Sequence, residues 1–275
     1  MEYILITNDP GTAAHAEQCG VNRVMVDLEI LGKAERQGDL DTLISSHSIS
    51  DIEGVRKVLE KAKLVVRVNP IHSGSAQEIG KVLCYEPDVL MLPMFTSSDE
   101  VQKFVDLVDG RAAVNLLLET PQALVRLDEI IRIDGVSEVH VGLNDLHLAM
   151  KLDFMFELLS GGVVEYVAGR VRSLRRKFGF GGISRLGDGD LDSSLILSEH
   201  CRLGSEMVIL SRQFRHSGSC GGDYRYDLGC ELRRLRERWE MLCGCSPEEL
   251  QETRDMLVER VRTVVKGGQV ASKSS

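Results

Sequence analysis

The sequence has no excess of positive charge. Of its 275 residues, 33 are Lys or Arg and 42 are Asp or Glu, which gives a formal net charge of −9 at neutral pH. Nucleic acids and anionic membrane surfaces are bound through basic patches. The charge balance therefore argues against either as a main partner and favours a protein that handles small molecules.

The sequence also lacks long apolar runs. A membrane-spanning helix needs about 20 consecutive apolar residues, and the runs here are only as long as single β-strands. The opening MEYILITND has no basic segment of the kind that begins a signal peptide. We therefore expect no membrane association and a cytoplasmic location. Aromatic residues are scarce, at 5%, but an apolar content of 43% still allows a sizeable core.

The seven cysteines have no regular spacing. The nearest approach to a motif is Cys243-Gly244-Cys245, with Cys220 and Cys230 upstream, and it lacks both the CxxC spacing and the histidine pair common in zinc sites. Thiols stay reduced in the cytoplasm. We therefore expect neither a zinc cluster nor a disulfide framework.

Short apolar runs alternate with helical patterns along the chain. Eight runs are predicted as strands: 3–7, 23–29, 64–70, 88–94, 112–119, 136–143, 179–185 and 206–212. Runs that are apolar throughout are typical of parallel strands buried on both faces. Eight such strands separated by helices predict an α/β protein, a closed (β/α)8 TIM barrel. An open doubly wound sheet is the alternative, but TNDPGTA after the first strand is not its GxGxxG loop.

The regular alternation stops near residue 215. We expect residues 1–215 to form the barrel, 216–223 to be a Gly/Ser-rich linker, 224–266 to form C-terminal helices, and 267–275 to be a disordered tail. The C-terminal helices carry apolar positions that a finished barrel does not obviously need. They are expected to pack on the barrel or on a neighbouring subunit.

Charged side chains follow several predicted strands at the end where a barrel gathers its βα loops. Glu119 and Asp145 follow consecutive strands, Asp27 and Glu29 end the second strand, and Arg67 ends the third. Carboxylates crowded in a cleft need compensation, and all-oxygen ligands select Mg²⁺ or Mn²⁺. We predict Glu119 and Asp145 to be metal ligands and Arg67 to hold an anionic substrate oxygen.

Simpler explanations exist for several of these residues. Glu119 or Asp145, taken alone, could cap the helix that follows. Asp27 and Glu29 could cap the next segment or form ordinary ion pairs with two of its basic residues, Lys33 and Arg36. The histidines His47 and His72 lie in loops after the second and third strands and could act as a base. His140 is interpreted as a buried structural histidine, and Arg185 and Arg212 as salt-bridge or subunit-contact residues.

Six segments, in a fixed order, resemble the HpcH/HpaI aldolase and citrate lyase β-subunit family: VDLE (26–29), VVRVNP (65–70), VLMLPM (89–94), LLLETPQAL (116–124), LDEI (127–130) and VHVGLNDLHLA (139–149). The resemblance spans residues 3–215. It implies a phosphoenolpyruvate/pyruvate-type barrel in which Glu119 and Asp145 bind a divalent metal, Mg²⁺ or else Mn²⁺ or Co²⁺. It also implies that Arg67 binds the keto acid or acyl oxygen. We expect Asn144 and Glu29 to contact substrate as well.

Two positions depart from the family pattern. The aldolase branch carries a histidine directly after the glutamate of the second strand, and the lyase branch an aspartate, where this chain has Ile30. The aldolase branch also has a glutamine two residues before the metal-binding glutamate, where this chain has Leu117. Enolate chemistry is therefore better supported than the aldol step. Lys33, Arg36 and His47 could supply different chemistry, and we predict His47 to be the catalytic base.

These features predict a metal-dependent carbon–carbon lyase, a class II aldolase. It would act on a pyruvate- or oxaloacetate-like 2-keto acid through an enolate held by the metal and Arg67. One alternative is an acyl-CoA lyase of the citryl- or malyl-CoA type, although no basic cluster for the CoA phosphates is evident. Another is a barrel that keeps the metal site but has lost its base and has a binding or regulatory role. The resemblance also implies a homo-oligomer.

Overall fold

Eight parallel strands close into a barrel in the computed structural model, which describes residues 1–32, 47–189, 191–215 and 224–272. Each strand pairs with the next one in chain order, and the eighth pairs with the first. The predicted (β/α)8 barrel is therefore confirmed. The strands are β1 (Glu2–Ile6), β2 (Arg23–Asp27), β3 (Lys63–Arg67), β4 (Val89–Leu92), β5 (Ala113–Leu118), β6 (Val136–Val141), β7 (Lys177–Ile183) and β8 (Met207–Leu210).

The strands are apolar throughout because both of their faces are buried. One set of side chains fills the barrel interior, among them Met25, Val65 and Leu117. The alternate set, including Val24 and Val66, faces the surrounding helices. Burial of one such side chain contributes roughly 1.5–3 kcal/mol. Because both faces of each strand are buried, these segments do not alternate between apolar and polar residues.

A buried ion pair occupies the N-terminal part of the barrel interior. Arg23 is fully buried and donates from both Nη atoms to the two carboxylate oxygens of Glu138, at 2.5 and 2.8 Å. The Nδ2 of Asn115 donates to the same carboxylate at 2.9 Å. A buried charge is tolerated when it is paired and hydrogen-bonded in this way. This pair closes the end of the barrel opposite to the one where the βα loops converge.

The helices lie outside the strands: α1 (Pro10–Gln18), α2 (Ile49–Val58), α3 (Ser75–Leu83), α4 (Ser98–Val108), α5 (Pro121–Val125), α6 (Leu127–Ile130), α7 (Leu143–Ala149), α8 (Glu157–Ser160), α9 (Val163–Ser173), α10 (Ser193–Arg202), α11 (Tyr224–Cys243) and α12 (Pro247–Ser272). Local signals set their ends. Pro10 opens α1, and a capping box between Ser97 and Glu100 opens α4. No helix in the described ranges is long and apolar enough to cross a membrane.

Three helical segments differ from what the sequence pattern predicts. The apolar spacing of TPQALVRLDEIIRI (120–133) predicts one helix, but the segment forms α5 and α6, because Arg126 leaves the helical conformation at φ −98° and ψ 15°. Helices α7 and α8 were not predicted. Helix α8 has only four residues, and α7 is little longer. The seven residues of α7, directly after β6, make only two turns, which is too short for an apolar period to be recognised.

The C-terminal helices pack on the barrel of the same chain. Leu232 and Leu235 of α11 and Leu257 and Val261 of α12 are buried in the core that surrounds the strands. Helix α12 continues to Ser272, beyond the predicted start of a disordered tail at residue 267. The predicted linker, 216–223, lies outside the described residues.

Candidate active site

A cavity of about 560 Å³ opens where the C-terminal ends of the strands converge. Four of the predicted site residues line it: Arg67, Glu119, Asn144 and Asp145. Arg67 is the last residue of β3, Glu119 directly follows β5, and the other two lie in the first turn of α7. Residues that are far apart in the sequence are therefore brought to one place by the closure of the barrel.

The Arg67 guanidinium is held by two carboxylates. Its Nε and Nη2 donate to the two oxygens of Asp27 at 2.7 and 2.6 Å, and its Nη1 lies 3.3 Å from Glu29 Oε2. Burial alone would lower the pKa of Arg67, but the negative charges of Asp27, Glu29 and Glu119 outweigh it and hold the pKa above its usual value. A bidentate contact of this kind fixes the orientation of the guanidinium plane.

Glu119 is buried among other acids. Its side chain is only 3% exposed, and its Oε1 accepts a hydrogen bond from the backbone N–H of Met94 at 3.2 Å. The pKa of Glu119 is raised well above its usual value, first by burial and then by the charges of Glu29 and Asp145, with Arg67 opposing them. An ionised Glu119 therefore needs a positive charge beyond the one that Arg67 supplies.

The glycine after β6 permits this arrangement. In the pairing of β5 with β6, Leu118 lies opposite Val141, so the next residues, Glu119 and Gly142, are neighbours. A Cβ atom at Gly142 would lie 2.6 Å from Glu119 Oε2. The backbone of Gly142 can therefore lie beside the carboxylate only because it carries no side chain.

Helix capping does not explain the two predicted metal ligands. The cap of α5 is Thr120, whose hydroxyl accepts the Ala123 N–H at 3.2 Å, and not Glu119. The residue before α7 is Gly142, and Asp145 lies inside the first turn of that helix. Both carboxylates line the cavity instead.

The charges of the site do not balance. One guanidinium, Arg67, faces the carboxylates of Asp27, Glu29, Glu119 and Asp145, which leaves a formal charge of −3 on these five groups when all are ionised. A divalent cation is a fitting counter-charge for such a set. Within the described part of the chain, no group of three or more His, Cys, Asp or Glu side chains converges to hold an ion. The two carboxylates in the cavity wall, Glu119 and Asp145, are the kind of donor that suits an ion such as Mg²⁺, which takes one or two carboxylates and completes its coordination with water and substrate.

Two predicted site residues lie beside the cavity and do not line it. Glu29 is buried and contacts Arg67. His47 Nδ1 accepts the backbone N–H of Asp27 at 3.0 Å, so a neutral His47 carries its proton on Nε2. The alternative pairing of Asp27 and Glu29 with Lys33 and Arg36 involves residues outside the described ranges.

The structure adds residues that the strand-end reasoning missed. His140 also lines the cavity; its Nε2 lies 2.9 Å from Gly181 O, and burial lowers its pKa to about 4. Its position could have been read from the two-residue period of β6, because Glu138, His140 and Gly142 point to the barrel interior in turn. Arg212, interpreted from the sequence as a salt-bridge or subunit-contact residue, lies in the cavity wall after β8.

Comparison with known proteins gives the family. Residues 5–157, more than half of the chain, match the family model of the HpcH/HpaI aldolase/citrate lyase. The chain belongs to the HpcH/HpaI aldolase/citrate lyase family. No curated protein matches it by sequence.

Solved structures of the HpcH/HpaI family share the fold. Protein CitE from Mycobacterium tuberculosis in complex with magnesium and pyruvate is 14% identical, with a TM-score of 0.62 over 94% of this chain and 97% of that chain. The same protein with magnesium and acetate is 16% identical, with a TM-score of 0.62 over 92% and 95%. An HpcH/HpaI aldolase from Desulfitobacterium hafniense DCB-2 is 12% identical, with a TM-score of 0.59 over 89% and 93%. At these identities the likeness shows the barrel fold alone.

The two departures from the HpcH/HpaI pattern have clear structural settings. Ile30 is 55% exposed, and its backbone N–H donates to Asn69 Oδ1 at 2.9 Å. Leu117 packs in the barrel interior with its side chain 3% exposed and lines the cavity. Neither position supplies an acid or a base.

Proposed function

We propose that this protein is a metal-dependent carbon–carbon lyase that acts on a pyruvate- or oxaloacetate-like 2-keto acid through an enolate. One observation carries the proposal: Glu119 and Asp145 line one cavity with Arg67, and burial, followed by the charges of Glu29 and Asp145, raises the pKa of Glu119. Family membership supports carbon–carbon lyase or aldolase chemistry. The CitE structures with magnesium and either pyruvate or acetate support the classes of metal and substrate.

Glu119 and Asp145 would hold the divalent ion, with Mg²⁺ as our choice from the oxygen donors. The bound ion would supply positive charge to the oxygens of the keto acid. Because neutralisation by the ion favours the carboxylate form, Glu119 would stay ionised when the site is loaded, in spite of its raised pKa.

The side chains of the protein have separable roles in this proposal. As the carbon–carbon bond of the keto acid breaks, its electron pair moves towards the keto group, and Arg67 stabilises the negative charge that develops on the oxygen. Asp27 keeps the guanidinium in one plane through its two hydrogen bonds. Asn144 would contact the substrate. Glu29 and His47 lie beside the cavity, and His47 Nδ1 already accepts the Asp27 N–H, so neither ring nitrogen of a neutral His47 is placed to take a proton from carbon. In this proposal water carries that proton.

Decarboxylation of oxaloacetate tests this proposal, because it needs enolate stabilisation and no base. We expect Mg²⁺-dependent loss of CO₂, reduced at least about 100-fold, ~2.7 kcal/mol, in Glu119→Gln and Asp145→Asn. Mn²⁺ binding, measured by titration calorimetry, should weaken in the same two variants. Asp106→Asn, on the exposed face of α4, is the matched control and should behave as wild type. Full activity in both site variants would contradict the assignment of Glu119 and Asp145 as metal ligands.

A second candidate function is a barrel that binds keto acids without turning them over. The lack of an acid or base at Ile30 and Leu117 favours it. Such a protein would bind pyruvate in the presence of Mg²⁺. It would not decarboxylate oxaloacetate faster than free Mg²⁺ does. The decarboxylation rate at saturating protein therefore separates the two candidates.

A further inference from the structure

The cavity is larger than a small keto acid requires. Its volume of about 560 Å³ lies within the range of pockets that hold drug-sized ligands, roughly 300–1,000 Å³. The groups assigned to the keto acid, Arg67, Glu119 and Asp145, occupy only the part of the wall formed by β3, β5 and α7. The remaining space is available to a second reactant.

The rest of the wall is mainly apolar. It is formed by side chains from α7, the segment before α8, the β7–α10 connection, α10 and β8: Leu143, Met155, Phe156, Leu191, Ile196 and Ile209. Most of them are nearly fully buried, Leu191 at 1% and Phe156 at 6% exposure. A carbon chain bound against this wall would move from water into apolar surroundings. This favours the free energy of binding by roughly 0.8 kcal/mol for each CH₂ that it buries.

The loop where barrels commonly bind phosphate is acidic in this chain. That site usually lies after the seventh and eighth strands, at a helix N-terminus. Here the β7–α10 connection carries Asp188 and Asp192, and Asp192 caps α10 by accepting the Ser194 N–H at 2.8 Å. Arg212 lies at the cavity edge with its side chain exposed. A phosphorylated acceptor that approached this connection would therefore have two carboxylates near it, Asp188 and Asp192, against one arginine, Arg185.

We propose that the second reactant is an uncharged aldehyde with an apolar carbon chain, which lies against this apolar wall. The inference rests on the proposed function. The carbon next to the keto group gives a proton to a water molecule and attacks the aldehyde carbon. The π electrons of the aldehyde move to its oxygen, which takes up a proton, so that a 4-hydroxy-2-keto acid forms without oxidant or reductant. The reverse reaction releases the same two compounds.

A panel of acceptors tests the inference with pyruvate and Mg²⁺. Propanal, butanal, pentanal and benzaldehyde represent apolar acceptors, whereas glyoxylate and glyceraldehyde 3-phosphate represent charged ones. We expect kcat/KM, from product formation measured by mass spectrometry, to rise about fourfold for each methylene from propanal to pentanal. The charged acceptors should be at least about tenfold poorer than pentanal.

Two variants with a matched control locate the site of this preference. Phe156 lines the cavity, and its ring packs edge to face on Phe154, which does not, with the ring centroids 5.1 Å apart. Phe156→Ala should flatten the chain-length dependence, and Phe154→Ala should retain it. Because removal of a buried ring can unfold a protein, Ile209→Thr is the second test. It keeps the branched shape on β8, and its hydroxyl should lower the preference for pentanal over propanal to about half.

The outcomes separate this inference from the function on which it rests. If oxaloacetate is decarboxylated but kcat/KM is flat across the apolar aldehydes, higher for charged acceptors or zero for all aldehydes, the apolar acceptor is wrong and the enolate site stands. If decarboxylation is also absent, both proposals fall. An unchanged chain-length slope in folded Phe156→Ala and Ile209→Thr would place the acceptor elsewhere.

Discussion

At the scale of single residues, Glu119 shows how neighbours decide chemistry. A carboxylic acid after a strand is ordinary, but this one is buried and lies near the negative charges of Glu29 and Asp145. Its backbone partner, the Met94 N–H, fixes one oxygen, and Gly142 leaves room for the other. In this place the charged form of Glu119 is disfavoured, and a nearby cation would stabilise it.

The raised pKa of Glu119 predicts how stability depends on pH when a chelator removes metal. Folded Glu119 keeps its proton to higher pH than the unfolded carboxyl, whose pKa is about 4.3. Its contribution to the free energy of unfolding is therefore full below that pH and is lost as pH rises through the folded pKa. Relative to Glu119→Gln, wild type should lose at most about 1.4 kcal/mol per pH unit in this window.

Urea unfolding between pH 4 and 8 measures this difference. Saturating Mg²⁺ should reduce it, because an ion that binds the carboxylate favours the charged form. If the free energy of unfolding of wild type and Glu119→Gln depends on pH in the same way in the chelator, Glu119 titrates as an exposed acid does. That result would contradict the crowding of carboxylates around it.

At the scale of elements, the short helices after β5 and β6 fix the positions of the site residues. Thr120 ties α5 to the preceding loop, because its hydroxyl donates to Phe95 O at 2.7 Å and accepts the Ala123 N–H. Helix α7 starts directly at the cavity, so that its first turn carries Asn144 and Asp145. Each acid thus sits at a junction between a strand and a helix, where packing of both elements limits its movement.

Thr120→Val tests the junction between β5 and α5. The isosteric change removes the helix cap, worth about 1 kcal/mol, and leaves the buried Phe95 carbonyl without its donor. We expect a loss of roughly 2 kcal/mol in the free energy of unfolding, measured by denaturant titration. Thr263→Val is the matched control: Thr263 donates to Glu259 O on the exposed surface of α12 and should cost under about 0.5 kcal/mol. Equal effects in the two variants would contradict the assigned role.

At the scale of the whole molecule, the barrel interior is layered. The Arg23–Glu138 pair lies at one end, apolar side chains such as Met25 and Leu117 fill the middle, and Arg67 with the acids lies at the other end. The apolar layer separates two sets of charges. The site therefore opens to one side only, where the βα loops meet.

The ion pair at the closed end predicts strong coupling between its partners. Glu138→Leu would remove the bidentate partner of the fully buried Arg23 and leave Glu2 as its one carboxylate, so we expect a loss of about 3 kcal/mol in the free energy of unfolding, the low end of the range for a broken buried pair. The double variant Arg23→Met/Glu138→Leu should recover most of that loss, because it removes the buried charge, and Glu2 keeps Lys177 as its partner. Thermal and urea unfolding of the three proteins measure this coupling, and additive effects would contradict it.

The predictions from sequence succeeded where a long pattern carries the signal. All eight strands were placed within a few residues, because apolar runs bounded by helical patterns are unambiguous over a whole barrel. The helix α7 and the break at Arg126 were missed, because a few residues carry too little periodicity. The family resemblance was confirmed. The metal ligands and the bases remain predictions.

The sequence by itself determined the barrel, the family and the placement of Arg67, Glu119 and Asp145 at or shortly after strand C-termini, since all three follow from order and period along the chain. Only the tertiary structure decided what surrounds them. Strand register put Gly142 against Glu119 and Asp27 against Arg67. The pKa of a buried group depends on distances across the barrel, and those distances belong to no single segment of the chain.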